Sequence, residues 1–187
     1  IPEDKIQLSM VEGNGTAIVM KRPQYRLHKT LSVVKKNLIK IFPLVSEDFA
    51  IHIIRDDKEE IIDRIDDSYA SQLCSIITLG DDFAYLADLV PNQFPNIRDS
   101  VVSVRPEYSE PITMTNNNGE EKEYHLKITG WIGTYETTKG RKTDILDFPD
   151  NFISLYANKK MGEFNILPRV GQNKMNESYV VGQLHVD

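Results

Sequence analysis

The chain has 187 residues, of which 40% are hydrophobic and 27% charged, a balance that supports one folded core and excludes a disordered tail. A formal net charge of −6 excludes a surface uniformly coated by nucleic acid, although it allows a local basic stripe. The single cysteine excludes an internal disulfide, and four scattered histidines give no zinc-ligand spacing. The apolar runs fall far short of the roughly 20 residues that span a bilayer, so we expect no membrane contact. The single cysteine fits a reducing, cytoplasmic setting.

The first predicted element is a strand over residues 15–20, preceded by the turn signal Gly13-Asn14-Gly15 and ended by Pro23. Apolar residues then recur at helical spacing up to Pro43, at Leu27, Leu31, Val34, Leu38 and Ile41. Because the chain opens on Ile1-Pro2, without an initiator methionine or a leader pattern, we expect it to be a fragment of a larger protein.

The middle of the chain gives mixed signals. Residues 49–54 and 60–62 predict a hairpin around a turn at 55–58. Between Asp66 and Leu89, the spacing of the apolar residues predicts two helices that are broken near Gly80. Because three prolines follow, we expect an irregular insert over about residues 66–110, with one short strand at 101–104.

The carboxyl-terminal half is predicted to be mostly sheet. A hairpin joins residues 112–115 to 123–128 through the turn pair Asn118-Gly119, and its second strand continues through Thr134. Alternating residues predict further strands at 153–158 and 180–186. The element order therefore predicts an α+β fold, with a mixed sheet and a few helices on one side.

Five segments, together with the basic helix before Pro43, resemble the GHKL ATPase superfamily, in particular its bacterial MutL-related and MORC-like members. They are residues 15–18, 49–53, 130–134 (Gly-Trp-Ile-Gly-Thr), 153–160 (Ile-Ser-Leu-Tyr-Ala-Asn-Lys-Lys) and 178–187 (Ser-Tyr-Val-Val-Gly-Gln-Leu-His-Val-Asp). The resemblance implies that residues 1–22 close the sheet of an upstream ATPase domain. It also implies that residues 23–187 form a transducer-like domain of left-handed βαβ topology.

The same resemblance implies a function. A transducer-like domain couples ATP binding to closure or dimerisation, in a setting of DNA repair, restriction or defence. The fragment itself would need no cofactor and catalyse nothing, because the magnesium-binding Glu/Asn helix and the adenine-binding motifs of the family have no match here, whereas the full-length protein would bind ATP and Mg and be an ATPase. The partners it implies are the upstream ATPase domain, a second copy in a homodimer, and DNA.

In that family a transducer-loop lysine reaches the γ-phosphate of ATP, so the resemblance nominates Lys160, and next Lys159, as the catalytic and cofactor-binding residues. A flexible ammonium group could follow the γ-phosphate and lose its contact after hydrolysis, which would link nucleotide state to domain position. The alternative interpretation of both residues is an ordinary exposed β-turn. The registration leaves open which lysine would act.

Other patterns favour structural roles. The acidic pairs at 56–57, 66–67 and 81–82 match no calcium loop and are typical of turns and helix caps. Cys74 and Trp131 are each expected in the core. The alternative function is a protein or nucleic-acid interaction module without nucleotide coupling, for which the lysine-rich helix before Pro43 is one candidate surface.

Overall fold

The computed structural model describes residues 34–35, 37–39, 42, 50–55, 58–97, 99–141, 149–170 and 174–187. Its described part is an α+β fold, in which a seven-stranded mixed sheet and a two-stranded hairpin are accompanied by short helices. The strand expected at 15–20 lies outside the described residues, as does the closing segment 1–22. Residues 34–35 and 37–39 are helical, within the helix predicted before Pro43.

A hairpin opens the described part. Strands β1 (Ile51–Arg55) and β2 (Lys58–Ile62) pair antiparallel and confirm the hairpin that the sequence predicts. Ile62 is buried and joins the main core, whereas Ile54 and Ile61 remain exposed.

The main sheet is ordered β4-β3-β6-β9-β7-β8, and β5 pairs with the first half of β6. Two neighbouring pairs, β3 with β4 and β7 with β9, are parallel, and the other pairs are antiparallel. The strands are β3 (Leu73–Leu79), β4 (Val101–Arg105), β5 (Tyr108–Thr115), β6 (Glu121–Tyr135), β7 (Phe152–Ala157), β8 (Lys160–Glu163) and β9 (Val180–Val186).

The prediction of two helices between Asp66 and Leu89 is wrong. Only the short helices Asp67–Ala70 and Leu86–Leu89 form there, together with a 3-10 turn, Asp81–Phe83, while residues 73–79 form β3 between β4 and β6. The length of the run and its β-branched residues decide the outcome, because a mainly apolar run of seven residues that includes Ile76, Ile77 and Thr78 suits a pleated sheet. Residues 66–110 are therefore no irregular insert, since they supply β3, β4 and the start of β5 to the main sheet.

One face of the main sheet carries the core. Its sheet residues are buried and belong to one cluster, namely Ile76, Trp131, Tyr135, Phe152 and Val181. Tyr69, Phe83 and Leu86, from the helical segments that flank β3, are buried in the same cluster. Trp131 meets Tyr69 edge-on, with ring centroids 6.1 Å apart, and full burial of such a side chain stabilises the fold by about 1.5–3 kcal/mol. We call this side of the sheet the core face.

Two glycines permit the close contact of β6 with β9. Gly130 has φ 135, and a Cβ atom there would lie 2.1 Å from the carbonyl oxygen of Gln183. A Cβ atom on Gly182 would lie 2.5 Å from the carbonyl oxygen of Trp131. A side chain at either position would therefore push the two central strands apart.

No helix in the described ranges is long and apolar enough to cross a membrane.

Candidate functional site

The two nominated lysines lie in and next to the turn between β7 and β8. Ala157 pairs with Lys160, and the two loop residues, Asn158 and Lys159, have φ values of 49 and 61. Positive φ at both loop residues is the pattern of a type I′ hairpin turn, which favours Asn followed by Gly. Both lysine side chains are exposed. A lysine at positive φ stores on the order of 1 kcal/mol of strain, which is a reason to ask whether this residue has a function.

A cluster of ionisable side chains around Tyr69 and Tyr135 has a structural role. Tyr69 donates to the hydroxyl of Tyr135 at 3.1 Å, and Tyr135 donates to the carbonyl oxygen of Asp150 at 3.2 Å. The guanidinium of Arg141 lies over the Tyr135 ring, 3.4 Å from its centroid. Burial raises the pKa of Tyr69 well above its usual value and that of Tyr135 to about 12. Both phenols therefore stay protonated at neutral pH and cannot act there as general bases.

A row of four polar or amphipathic residues crosses the core face. We call it the polar row, and the sheet register aligns its members Thr78, Trp131, Gln183 and Ser154 on four neighbouring strands. All four are buried, and three keep a polar atom to which no described residue forms a hydrogen bond: Oγ1 of Thr78, Nε1 of Trp131 and Oε1 of Gln183. Each such atom costs about 1–3 kcal/mol of desolvation. The Gln183 amide also donates to the carbonyl oxygen of Ile39 at 3.1 Å, which ties the helical segment to the sheet.

The opposite side of the main sheet becomes more exposed from β7 to β3. The register aligns Ile153, Gly182, Ile132 and Ile77 across this side. Ile153 is 6% exposed, Ile132 is half-buried and Ile77 is 38% exposed. We call this side the open face. Its apolar residues on β3, β6 and β9 are Ile77, Leu79, Ile128, Ile132, Val180, Leu184 and Val186.

Strand β5 and the first half of β6 project beyond the sheet as a two-stranded arm, residues 108–128. Ile128 pairs with Tyr108 of β5 and also with Val186 of β9, so β5 and β9 lie on opposite sides of β6. From Thr115 to Glu121 the chain turns through Asn116, whose side chain accepts from the amides of Asn118 and Glu120. The arm is thus a closed hairpin, as the sequence predicts.

The arm is amphipathic. Strand alternation places six apolar residues on one side, namely Tyr108, Ile112, Met114, Tyr124, Leu126 and Ile128. The back carries Ser109, Pro111, Thr113, Thr115, Glu121, Glu123, His125 and Lys127. Because Ile128 and Ile132 lie four positions apart on β6, their side chains point to the same side, and the apolar side of the arm continues the open face. Tyr108, Met114 and Tyr124 are 44–55% exposed.

The other residues that the sequence analysis considered, Cys74, Trp131 and the acidic pairs, are placed as parts of the fold. Cys74 is buried, and its Sγ atom lies 3.4 Å from the carbonyl oxygen of Thr134. Trp131 is buried in the core, as expected. Asp66 pairs with Lys35 at 2.5 Å, and the described residues contain no group of three metal-ligating side chains. Residues 56–57 lie outside the described part.

The sequence reasoning missed the polar row and the amphipathic arm. The arm has a visible signal, since Ile112 and Met114 on one strand and Tyr124, Leu126 and Ile128 on the other occupy alternate positions. The polar row has none, because its four residues lie on strands that are distant in the chain and meet only through the sheet register.

Comparisons with known proteins found no match to this chain. No protein-family model matches the chain, and no match was found among curated proteins or solved structures. The resemblance to GHKL ATPases therefore rests on the sequence segments alone and stays a prediction.

Proposed function

We propose that the described part of this chain is a protein-interaction domain that binds its partner with the arm and the adjoining open face. The observation that supports this most is the continuity of the two surfaces: the apolar side of the arm, through Ile128, runs into Ile132 and Leu184 of the sheet. Contiguous exposed apolar surfaces of this kind mark interaction sites in folded proteins.

The exposed aromatic and methionine side chains give the arm a means of binding. Tyr108, Met114 and Tyr124 lie on one side of two strands, and Lys122 lies 5.2 Å from the Tyr124 ring centroid. Tyrosine and methionine are enriched in the buried centres of interfaces. Covering the exposed half of each of these side chains would contribute roughly 1 kcal/mol before the cost of association is subtracted.

The charge of the arm favours a protein partner over nucleic acid. Residues 108–128 contain four glutamates and two lysines, and Lys127 is already paired with Glu107 at 3.0 Å. Binding to nucleic acid requires clustered cations that neutralise phosphates, which the arm does not offer. We therefore propose a partner protein whose binding surface is apolar at its centre and carries a basic group facing Glu110, which lies beside Leu126 on the apolar side of the arm.

The experiment is site-specific photocrosslinking in the cells that produce the whole protein. Benzoylphenylalanine in place of Tyr124 places the reactive group on the apolar side, and the same group in place of His125 places it on the back. We expect one discrete protein adduct at position 124 and none at 125. Equal labelling at both positions, or none at 124, would refute the proposal.

A second measurement needs no partner. The dye anilinonaphthalene sulfonate binds exposed apolar surface, so the wild-type chain should enhance its fluorescence and Tyr124→Glu should reduce that enhancement. The control is Thr113→Glu, on the back of the arm. Equal dye binding by all three proteins would show that the arm presents no apolar surface in solution.

Nucleotide coupling is a second proposal, and the positive φ of Lys159 is the observation that favours it. An exposed ammonium group at the tip of a hairpin fits contact with a phosphate, so Lys160 or Lys159 would touch the γ-phosphate of ATP. Magnesium and the adenine would be held by the upstream domain, since no carboxylate cluster within the described ranges suits the metal.

A further inference from the structure

We propose that β4 is a dimerisation edge, to which a second copy of this chain adds its own β4 in antiparallel orientation. Among the described strands, β4 pairs with β3 alone and ends the sheet on that side. An edge strand offers unpaired backbone groups to another chain. Val101, Val102 and Val104 are 67%, 43% and 54% exposed, and neither proline nor lysine protects the strand. The proposal is independent of the arm.

The pairing with β3 determines which backbone groups face outward. The amide of Gly80 donates to the carbonyl oxygen of Arg105 at 3.0 Å, so the backbone of Arg105 faces β3. Because alternate residues of a strand direct their backbone groups to opposite sides, Ser103 also faces β3. The amide and carbonyl groups of Val102 and Val104 therefore point to the open edge and are available for a further strand.

Charges at the two ends of the edge favour a second copy as the added strand. Asp99 lies two residues before β4 and Arg105 ends it; both are exposed, and neither forms an ion pair within the described part of the chain. In an antiparallel pairing centred on Val102, each Arg105 faces Asp99 of the other copy. The next acid, Glu107, is already paired with Lys127 at 3.0 Å. The edge is thus complementary to itself.

The symmetry has a structural consequence. Two antiparallel strands that pair edge to edge are related by a twofold axis perpendicular to the sheet. Both open faces then lie on the same side of one continuous sheet, and Val101 of each copy extends the shared apolar surface. Specific protein interfaces bury at least about 1,200 Å² of surface, and the pairing of one short strand with its copy buries less. We therefore expect the dimer to dissociate with a constant on the order of 10 µM or weaker.

The first test is charge reversal, followed by sedimentation equilibrium of the 187-residue chain from micromolar to near-millimolar concentration. Asp99→Arg or Arg105→Asp alone places like charges at both ends of the pairing and should weaken dimerisation about tenfold. The double variant should restore the wild-type dissociation constant. Thermal melts by circular dichroism check that each variant is folded.

Three results would overturn the proposal. The wild-type chain could remain monomeric throughout the concentration series, or the double variant could stay as weak as the single ones. A tighter dimer with Asp99→Arg would indicate a register in which residue 99 faces Glu107, and would exclude the pairing centred on Val102.

A disulfide test fixes the register independently. In the proposed pairing, each Val102 faces its counterpart at a Cα separation of about 5.5 Å, which a disulfide can span. Val102→Cys should therefore form a covalent dimer on mild oxidation. Val104→Cys is the matched control, because the two copies of residue 104 would be roughly 14 Å apart. Absence of the covalent dimer for Val102→Cys, or equal yields for both variants, would contradict the proposal.

Discussion

Trp131 and Gln183 lie opposite each other on β6 and β9 in the centre of the core, and each keeps one buried polar atom without a hydrogen-bond partner in the described part of the chain. The unpaired atoms are the indole Nε1, which is a donor, and the amide Oε1, which is an acceptor. Thr78 continues the polar row with an unpaired hydroxyl on β3. Three unsatisfied groups in one row make this the most polar part of an otherwise apolar core.

The polar row can be tested through Thr78. Thr78→Val removes an unpaired hydroxyl while keeping the shape of the side chain, so we expect the free energy of unfolding to be unchanged or raised by about 1 kcal/mol. Ser154→Ala is the control; because its hydroxyl donates to the carbonyl oxygen of Gly182 at 3.4 Å, this change should lower stability by about 1 kcal/mol. Urea denaturation measures both. Destabilisation by Thr78→Val would instead indicate a buried water that satisfies the hydroxyl.

The contact of β6 with β9 predicts a large effect at Gly130. Gly130→Ala should destabilise the fold by about 3 kcal/mol or more, because the new Cβ atom would meet the Gln183 carbonyl oxygen at a backbone of positive φ. Gly119→Ala, in the arm turn, also has positive φ but has no atom within 4 Å of the added Cβ, so about 1 kcal/mol is expected. Equal losses for the two variants in guanidinium denaturation would refute the steric argument.

His185 should make stability depend on pH. Burial lowers the pKa of His185, although Asp187 and Asp82 partly oppose the effect, and its ring stacks on Tyr156 with centroids 4.9 Å apart. The unfolded chain therefore binds a proton first as the pH falls below about 6.5, and stability is lost below that value. His185→Phe should flatten the change in melting temperature between about pH 7 and about pH 5.

A control is needed because other groups titrate in the same range. The same measurement on His125→Gln, a change on the exposed back of the arm, gives the effect of removing a histidine that lies outside the core. If His185→Phe retains the full wild-type slope, the slope has another origin and the prediction is wrong.

The strained turn predicts that glycine at position 159 stabilises the fold. Lys159→Gly should raise the free energy of unfolding by about 0.5–1 kcal/mol, because glycine adopts positive φ without strain. Lys159→Arg, which retains the strain, should change stability by less than about 0.5 kcal/mol. No gain from the glycine variant in urea denaturation would show that the turn is unstrained in solution.

The nucleotide-coupling proposal is tested in the full-length gene product. If Lys160 or Lys159 contacts the γ-phosphate, the alanine variant of that residue should reduce ATP turnover at least about tenfold, equivalent to roughly 1.4 kcal/mol of transition-state stabilisation. Lys122→Ala, on the arm, serves as the control. Wild-type turnover in both alanine variants would assign the lysines to the turn alone.

Local patterns predicted much of the fold. The β1–β2 hairpin, the arm with its Asn118-Gly119 turn, and strands β7 and β9 follow from alternation and turn chemistry within a few residues of the chain. The prediction failed at β3, because a short apolar run such as residues 73–79 is compatible with either a helix or a strand, and its neighbours in the sheet decide between them.

The sequence by itself determined the α+β class, the burial of Trp131 and Cys74, and a turn next to Lys160. Only the tertiary structure decided that β3 is central, that β4 is an edge, and that the apolar side of the arm continues the open face. The physical reason is that strand neighbours are chosen by hydrogen bonds between segments far apart in the chain. A residue's exposure depends on which strand comes to lie beside it, and neither periodicity nor composition encodes that choice.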